Sequence, residues 1–269
     1  MAKVNKVLFI TQEMVPYVED SLAAKYGRQL SQGIQDAYHE IRSFMPKWGG
    51  INERRNQLHE VIRLSGMNMI LDDTDHPLII KVASITAARM QVYFIDNDDY
   101  FGKRQPICDE QGVEYADNAE RAVFYARGVL ETVKKLKWVP DVIHCQGWIS
   151  SIVPLYVKKA YHEEPSFRDA KVVYTPTHSE LCGPLPERLS NILNFKGAGV
   201  DDLVGVEGNM DMQTLTALAM KYADGIALME PDEKFQAMAE ATGKPLLMPQ
   251  NLENIATVYD EFFDKISQK

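Results

Sequence analysis

Two histidines are the first candidates for chemistry in this sequence, because imidazole exchanges its proton closest to neutral pH. His144 directly follows the apolar residues 142–143, and His178 lies just beyond the apolar run 172–174. Short, valine-rich runs of this kind predict strands buried on both faces of a parallel sheet. Because ligands of such sheets bind at the carboxyl ends of the strands, we predict His144 and His178 as catalytic candidates. The alternative for His144 is a packed histidine that is hydrogen-bonded at the strand end.

A second polar group, formed by Asp117, Asn118 and Arg121, stands at the start of a predicted helix. Asp117 precedes Glu120 by three positions. This is the spacing of a capping box, in which the two side chains bond backbone N–H groups at the helix start, and it favours a structural role for Asp117. Arg121 is suited either to bind a ligand hydroxyl or to pair with a nearby carboxylate. All three residues are candidates for binding.

Composition excludes several classes of protein. The chain has 269 residues, is 45% hydrophobic and carries a net charge of −9. This charge argues against a nucleic-acid partner and against adhesion to anionic membranes. No stretch approaches the roughly 20 apolar residues of a membrane span, and the first 20 residues do not have the pattern of a signal peptide. We expect a cytoplasmic protein.

The three cysteines, Cys108, Cys145 and Cys182, form no recognisable metal or redox motif. Without a Cys-x-x-Cys pair or a close His/Cys cluster, we expect no bound metal. An odd number of cysteines and no export signal favour free thiols. Glycine-rich Gly-x-Gly-x-x-Gly and Walker loops are also missing, so we expect no nucleotide cofactor.

Alternating apolar runs and amphipathic helices predict an α/β fold, a doubly wound Rossmann-like parallel sheet. Residues 57–96 differ, because short β-rich runs follow one another there with almost no helical spacing, and they predict an inserted antiparallel excursion. Residues 183–210 are rich in Gly, Pro and Asn and predict a long loop, either functional or mobile. A strong apolar stripe predicts a core-packed helix at about 250–266. Since no linker interrupts the pattern, we predict one domain over residues 1–269. The individual predictions are strands at 7–10, 41–45, 58–64, 67–71, 78–85, 90–95, 142–143, 172–174 and 226–228, and helices at 22–34, 119–133, 148–161, 215–222 and 232–241.

Six segments, taken in order over residues 6–231, carry a family resemblance. They read KVLFITQEMVPY at 6–17, VYFIDN at 92–97 followed by YFG, YADNAER at 115–121, WVPDVIHCQGW at 138–148, FRDAKVVYTPTH at 167–178 and KYADG at 221–225. Together they resemble glycosyltransferase family 5, the bacterial glycogen synthases and plant starch synthases.

The resemblance implies a fold and an activity. Family members have the GT-B architecture, two Rossmann-like domains facing a cleft, and transfer glucose from ADP-glucose to an α-1,4-glucan. At this length the chain is expected to correspond to the amino-terminal half alone, without the second half that makes most contacts to ADP-glucose. The implied substrate-binding residues are Tyr17, Asp117, Asn118, Arg121 and Trp148. Tyr17 and Trp148 are suited to stack on a sugar ring, and core packing is the alternative for both.

Two departures from the family pattern bear on that activity. The family's Lys-Thr-Gly-Gly-Leu loop approaches the donor phosphates at the start of the first helix, whereas residues 18–22 here read VEDSL. The carboxylates of Glu19 and Asp20 would repel a pyrophosphate and are expected to cap the helix themselves. In the fourth segment the family's His-Asp pair has become Gln146-Gly147, and the Asn after the second histidine is Ser179.

Three functions are compatible with these features. The first is a hexosyltransferase, a glycogen synthase subunit completed by a separate partner synthase chain. The second is a relic, inactive or partner-dependent, that binds an α-glucan or maltooligosaccharide or regulates a true synthase, with ADP-glucose binding disfavoured. The third is a doubly wound domain that binds another small ligand in the strand-end crevice. The altered loop at residues 18–22 favours the second.

Overall fold

The computed structural model describes residues 4–19, 21–178, 181, 183–206 and 210–268. In these residues ten strands pair in the order β10-β9-β8-β7-β1-β2-β6-β5-β3, with β4 pairing on β5. The strands are β1 Lys6–Ile10, β2 Glu40–Pro46, β3 His59–Glu60, β4 Met67–Leu71, β5 Thr74–Ile85, β6 Met90–Asp96, β7 Val142–Gln146, β8 Lys171–Thr175, β9 Gly225–Ala227 and β10 Leu246–Leu247. The pairings from β10 to β6 are parallel, as predicted for a doubly wound sheet.

Helices cover both faces of this sheet. They are α1 Leu22–Asp36, α2 Asn118–Lys135, α3 Val153–Lys158, α4 Leu189–Leu193, α5 Met212–Tyr222, α6 Glu233–Ala241 and α7 Ile255–Ser267. Alternate side chains of β1 point to opposite faces, so that Leu8 belongs to the larger core with α2 while Phe9 belongs to the smaller core with α1 and α7. No helix in the described part of the chain is both long and apolar enough to cross a membrane.

The predicted final helix is confirmed, although α7 begins at Ile255, a few residues later than expected. Its stripe packs on α1, where the hydroxyls of Tyr26 and Tyr259 form a hydrogen bond and the two rings meet edge to face at 6.0 Å. Phe262 and Ile266 of the same stripe are buried. The two helices together close one face of the sheet.

The predicted β-rich excursion is also confirmed, and it is antiparallel: β5 pairs with β6, β4 and β3. The strand predicted at 58–64 is wrong for most of its length. Only His59–Glu60 pairs, because the chain then turns and the Leu64 N–H donates to the Val61 carbonyl. The apolar Leu64 side chain is buried at this turn and does not extend a strand.

Two further predictions need correction. The stretch 148–161 is not one helix but a 3₁₀ turn, Trp148–Ser150, followed by the short α3. The loop predicted at 183–210 contains α4 and another 3₁₀ turn, Val200–Leu203. Neither segment has a long amphipathic period, which is why the sequence pattern did not resolve these short elements.

Candidate functional site

The carboxyl ends of β1 and β7 meet at one edge of the sheet, where Gln12 and Gly147 follow the strands. Gly147 has φ +83°, and a Cβ at this position would lie 2.4 Å from Oε1 of Gln12. Only glycine combines that backbone conformation with so close a neighbour. The resemblance implies an aspartate at the position of Gly147. Here the Gln12 side chain lies in the space that a side chain at this position would need.

Arg121 is the centre of this edge, and its side chain has no exposed surface. Nε donates to the Tyr100 carbonyl at 2.9 Å, Nη1 to the Pro106 carbonyl at 2.9 Å and to Asn118 Oδ1 at 2.8 Å, and Nη2 to the Gln105 carbonyl at 2.8 Å. Burial lowers the pKa of Arg121 to about 9, assisted by the nearby charge of Arg104. Arg121 thus holds the loop before α2 in place, and these bonds go to carbonyl and amide oxygens, not to the carboxylate that was one of the two partners predicted for it.

Asp117 occupies the position before α2 but does not cap it, so the capping-box prediction is wrong. Its carboxylate instead accepts two hydrogen bonds from Arg104, at 2.6 and 2.5 Å. The Arg104 guanidinium lies 4.1 Å from the centre of the Tyr115 ring, and the hydrogen bond to Asp117 raises the pKa of Arg104. This bidentate pair fixes the start of α2 against the preceding loop.

Glu120, the other half of the predicted capping box, also has a different partner. It accepts a hydrogen bond from Arg188 and another from the Tyr100 hydroxyl at 3.3 Å. Because Arg188 belongs to the segment that leads into α4, this contact ties the 183–193 segment to α2.

Trp148 lies beside Arg121, with the guanidinium 6.0 Å from its ring centre and the Trp48 ring at 6.3 Å. Its indole Nε1 is buried and has no hydrogen-bond partner within the described chain. Tyr17 packs edge to face on Phe94 at 4.8 Å, and burial raises the pKa of its hydroxyl to about 12. Both aromatic side chains are largely buried, which is the core-packing alternative.

The two predicted catalytic histidines are not brought together. His144 is fully buried under α7, packed against Phe9, Tyr259 and Phe263, and its Nε2 is 2.9 Å from Thr175 Oγ1. Burial lowers its pKa to about 3. His178 is instead 73% exposed in the loop after β8, with Nδ1 3.6 Å from an Asp232 carboxylate oxygen. Ser179, Cys182 and Asp20 lie outside the described residues.

A pocket of about 470 Å³ opens between the start of α2 and residues 183–187. Of the predicted residues, Asn118 lines it. The wall opposite is held in place by the Gly183 N–H, which donates to Glu114 Oε2 at 3.0 Å. The lining combines carboxylates, an amide, an aromatic ring and apolar side chains, among them Glu114, Tyr115, Asn118, Leu185, Glu187 and Met212.

The amino terminus of α1, where the resemblance places donor phosphates, is capped by Ser21. Its hydroxyl accepts from the Ala24 N–H at 2.9 Å and donates to the carboxylate of Glu13. Glu19 was expected to cap the helix but does not. Its side chain is exposed, and its Oε1 lies 3.7 Å from Arg55 Nη2. The Glu13 carboxylate thus bonds the capping hydroxyl and adds negative charge beside the helix amino terminus, where the helix dipole stabilises it.

Sequence reasoning missed several residues of this edge. Gln146 was noted only as a loss of the family's histidine, yet its Nε2 donates to the Ala23 carbonyl of α1 at 2.9 Å and so joins β7 to that helix. Glu13 and Arg104 were also missed. The Ser21-x-x-Ala24 spacing gave a local signal for the cap, but no local pattern pairs Arg104 with Asp117.

A parallel sheet covered by helices on both faces, with polar groups at the carboxyl ends of its strands, defines a Rossmann-like domain of the kind that forms GT-B glycosyltransferases. Residues 6–246 match the family described as starch synthase catalytic domain. The chain belongs to this family. The match includes the whole candidate site and ends before α7.

Curated relatives support the assignment. The glycogen synthase of Chlorobium limicola is 34% identical over 237 residues, which are 84% of this chain and 48% of that protein. The glycogen synthase of Chlorobaculum tepidum is 35% identical over 227 residues, 83% of this chain and 46% of that protein. The chain thus spans about half the length of these relatives.

Two solved structures share the fold. The catalytic domain of starch synthase IV from Arabidopsis thaliana, bound to ADP and acarbose, has a TM-score of 0.74 at 16% identity, covering 93% of this chain and 52% of that one. A sucrose-phosphate synthase from Thermosynechococcus elongatus has a TM-score of 0.52 at 12% identity, covering 97% of this chain and 99% of that one. At these identities the likeness concerns the fold alone.

Proposed function

We propose that this domain binds an α-glucan or maltooligosaccharide at the pocket beside Asn118, and does not by itself bind ADP-glucose or transfer glucose from it. The observation that carries the proposal is the amino terminus of α1. The Ser21 hydroxyl accepts from the Ala24 N–H at this end and donates to the Glu13 carboxylate. Where the family loop has Lys-Thr-Gly-Gly-Leu, residues 18–22 read VEDSL, so a pyrophosphate approaching this end meets the exposed Glu19 carboxylate and no lysine from the loop.

The pocket suits a neutral sugar better than a nucleotide. Glu114 and Glu187 place carboxylates in its lining, and carboxylate oxygens accept hydrogen bonds from sugar hydroxyls but repel phosphates. Tyr115, Leu185 and Met212 add the apolar surface that the flat face of a glucose ring prefers. The acarbose in the related starch synthase IV structure is consistent with this class of ligand.

The predicted site residues take different roles in the proposal. Asn118 forms part of the pocket wall, with Oδ1 accepting from Arg121 and Nδ2 donating to the Ile107 carbonyl. Asp117 and Arg121 act as positioning residues, Asp117 through Arg104 and Arg121 through the loop carbonyls that it holds. His178 is exposed and available to a ligand at the same edge of the sheet. His144, Trp148 and Tyr17 belong to the core in this proposal, because their rings are covered.

Calorimetric titration of the chain with maltoheptaose and with ADP-glucose tests this function. We expect maltoheptaose to bind with a dissociation constant on the order of 1 mM or below, which corresponds to about 4 kcal/mol, and ADP-glucose to produce no binding heat in the same range. Elongation of the glucan from ADP-glucose by the chain alone would show transferase activity and contradict the proposal. If neither ligand binds, the glucan proposal is wrong, and the domain that binds another small ligand is the remaining function.

A substitution at the pocket mouth locates the glucan. Ala116 is exposed and lines the pocket, so the variant Ala116→Arg extends a long side chain across the opening. We expect its affinity for maltoheptaose to fall by about tenfold or more, equivalent to about 1.4 kcal/mol. Val113→Arg, at an exposed position outside the lining, adds the same charge and is the matched control. Equal affinities in the two variants would place the glucan elsewhere.

A further inference from the structure

A second pocket, of about 470 Å³, lies at the opposite edge of the sheet from the candidate site. It is formed where β2 and β6 begin and where β5 ends, so it faces the amino ends of the parallel strands. Its lining is polar and contains no carboxylate; the side chains are those of Gln35, Arg42, Ser84, Thr86, Arg89 and Gln91, together with Ile41, Met90 and Tyr93. In a chain with a net charge of −9, this is a local concentration of positive charge.

Arg42 is held in a defined orientation in this pocket. Its Nη1 donates to the Tyr93 hydroxyl at 2.9 Å, and its guanidinium lies 5.3 Å from the centre of the Trp138 ring. The buried Nε has no hydrogen-bond partner in the described part of the chain. Aromatic packing of this kind fixes the planar fork of an arginine before a ligand arrives.

Two more arginines reach the same wall. Arg89 is exposed at the end of a 3₁₀ turn, with φ +52°, and lines the pocket directly. Arg28 of α1 points to Met90, with Nη1 3.1 Å from the thioether sulfur, which is a weak acceptor. Burial lowers the pKa of Arg28, and the attraction of Asp36 only partly opposes this effect.

The nearest carboxylate on β2 is already engaged. Glu40 accepts from the Trp138 indole at 2.5 Å and lies 3.5 Å from the Lys6 ammonium. It therefore leaves the Arg42 guanidinium without a carboxylate partner among the described residues. A buried or half-buried guanidinium without an anion favours the binding of one.

We propose that this pocket binds the phosphate group of a small phosphorylated metabolite. Arg42 and Arg89 hold the phosphate oxygens, with the charge of Arg28 behind the wall. The hydroxyls of Ser84 and Thr86 and the amides of Gln35 and Gln91 face the rest of the ligand and match the hydroxyl groups of a sugar. The site is separate from the glucan pocket, because the two lie at opposite edges of the sheet.

Calorimetric titration at low ionic strength with inorganic phosphate, glucose 1-phosphate and glucose 6-phosphate tests the proposal. We expect at least one of them to bind the unmodified chain, and Arg42→Gln to weaken that binding by about 10- to 100-fold, since a charge-assisted hydrogen bond contributes about 1.5–3 kcal/mol. Arg89→Gln should also weaken binding and, because Arg89 is exposed, should not impair folding. Arg63→Gln, an exposed arginine outside the pocket, is the control and should bind as the unmodified chain does.

The comparison of probes also identifies the source of the phosphate. Tighter binding of a sugar phosphate than of inorganic phosphate supports a metabolite, and equal binding supports free phosphate as the ligand of the same site. Absence of binding by all three probes, or affinities unchanged in both Arg42→Gln and Arg89→Gln, would overturn the proposal. Maltoheptaose affinity should be the same in these variants, so this result is distinguishable from a failure of the glucan site.

Discussion

Replacing Arg121 by methionine is expected to lower the free energy of unfolding by about 3–5 kcal/mol. Methionine fills much of the volume, but it leaves the carbonyls of Tyr100, Gln105 and Pro106 and the amide of Asn118 without their shared donor. Each buried acceptor that loses its partner costs about 1–3 kcal/mol, which partial access of water to the loop reduces. Urea unfolding followed by circular dichroism measures the loss.

A matched variant separates this effect from the loss of any arginine. Arg104→Met removes a guanidinium from the same cluster, but Arg104 and Asp117 are partly exposed, and such a pair contributes about 1 kcal/mol or less. Arg121→Lys keeps a positive charge but not the planar fork, so most of the loss should remain. Equal losses in Arg121→Met and Arg104→Met would contradict the role of Arg121 as the buried donor that organises the loop.

Much of the fold was predictable because buried strands and amphipathic helices have a period that the sequence displays. The strand at 7–10, the helix at 119–133 and the final helix agree with β1, α2 and α7 to within a few residues. The failure at 58–64 has a physical cause. An apolar run indicates burial, and Leu64 is buried at a turn that follows only two paired residues.

The candidate site was less predictable because its contacts join distant segments. The motif at 117–121 indicated that Asp117 and Arg121 matter, but their partners Arg104 and Tyr100 come from a loop 13 and 21 positions earlier. The capping-box spacing was a valid local signal, which the bidentate pair with Arg104 overrides. For the same reason, the sequence did not reveal the hydrogen bond from Ser21 at the start of α1 to Glu13. The turn after β1 brings these two residues together, although they are eight positions apart.

His144 shows the limit of a strand-end argument. The strand predicted at 142–143 extends to Gln146, so His144 is the central residue of β7 and does not follow it, and the sequence did not reveal which face of the sheet its ring would take. In the register Phe9 is the neighbour of His144, and both lie on the face that α7 covers. Since α7 lies beyond residues 6–246, the element that buries His144 is outside the part of the chain that matches the family.

The stability of the domain should fall as the pH is lowered through the range in which unfolded histidine becomes protonated. The pKa of His144 is about 3 in the folded chain, because burial disfavours the charged ring, and about 6.5 in an unfolded chain. Above pH 6.5 neither state binds the proton, and the full stability is present. Between pH 6.5 and pH 3 only the unfolded state gains the proton, so the contribution is lost progressively. From about pH 7.5 to about pH 5 the loss from this residue is about 2 kcal/mol.

Urea unfolding at these two pH values, in the unmodified chain and in His144→Gln, measures the contribution. Glutamine keeps a donor for Thr175 but does not titrate, so the variant should lose about 2 kcal/mol less than the unmodified chain on acidification. Its stability at about pH 7.5 is expected to be lower by about 1–2 kcal/mol, because the rings of Phe9, Tyr259 and Phe263 lose an aromatic neighbour.

His178→Gln changes an exposed histidine and should keep the pH dependence of the unmodified chain. If His144→Gln and the unmodified chain lose the same free energy on acidification, His144 is not buried as a neutral ring. It would then again be a candidate for contact with a substrate, and its assignment to the core would be wrong.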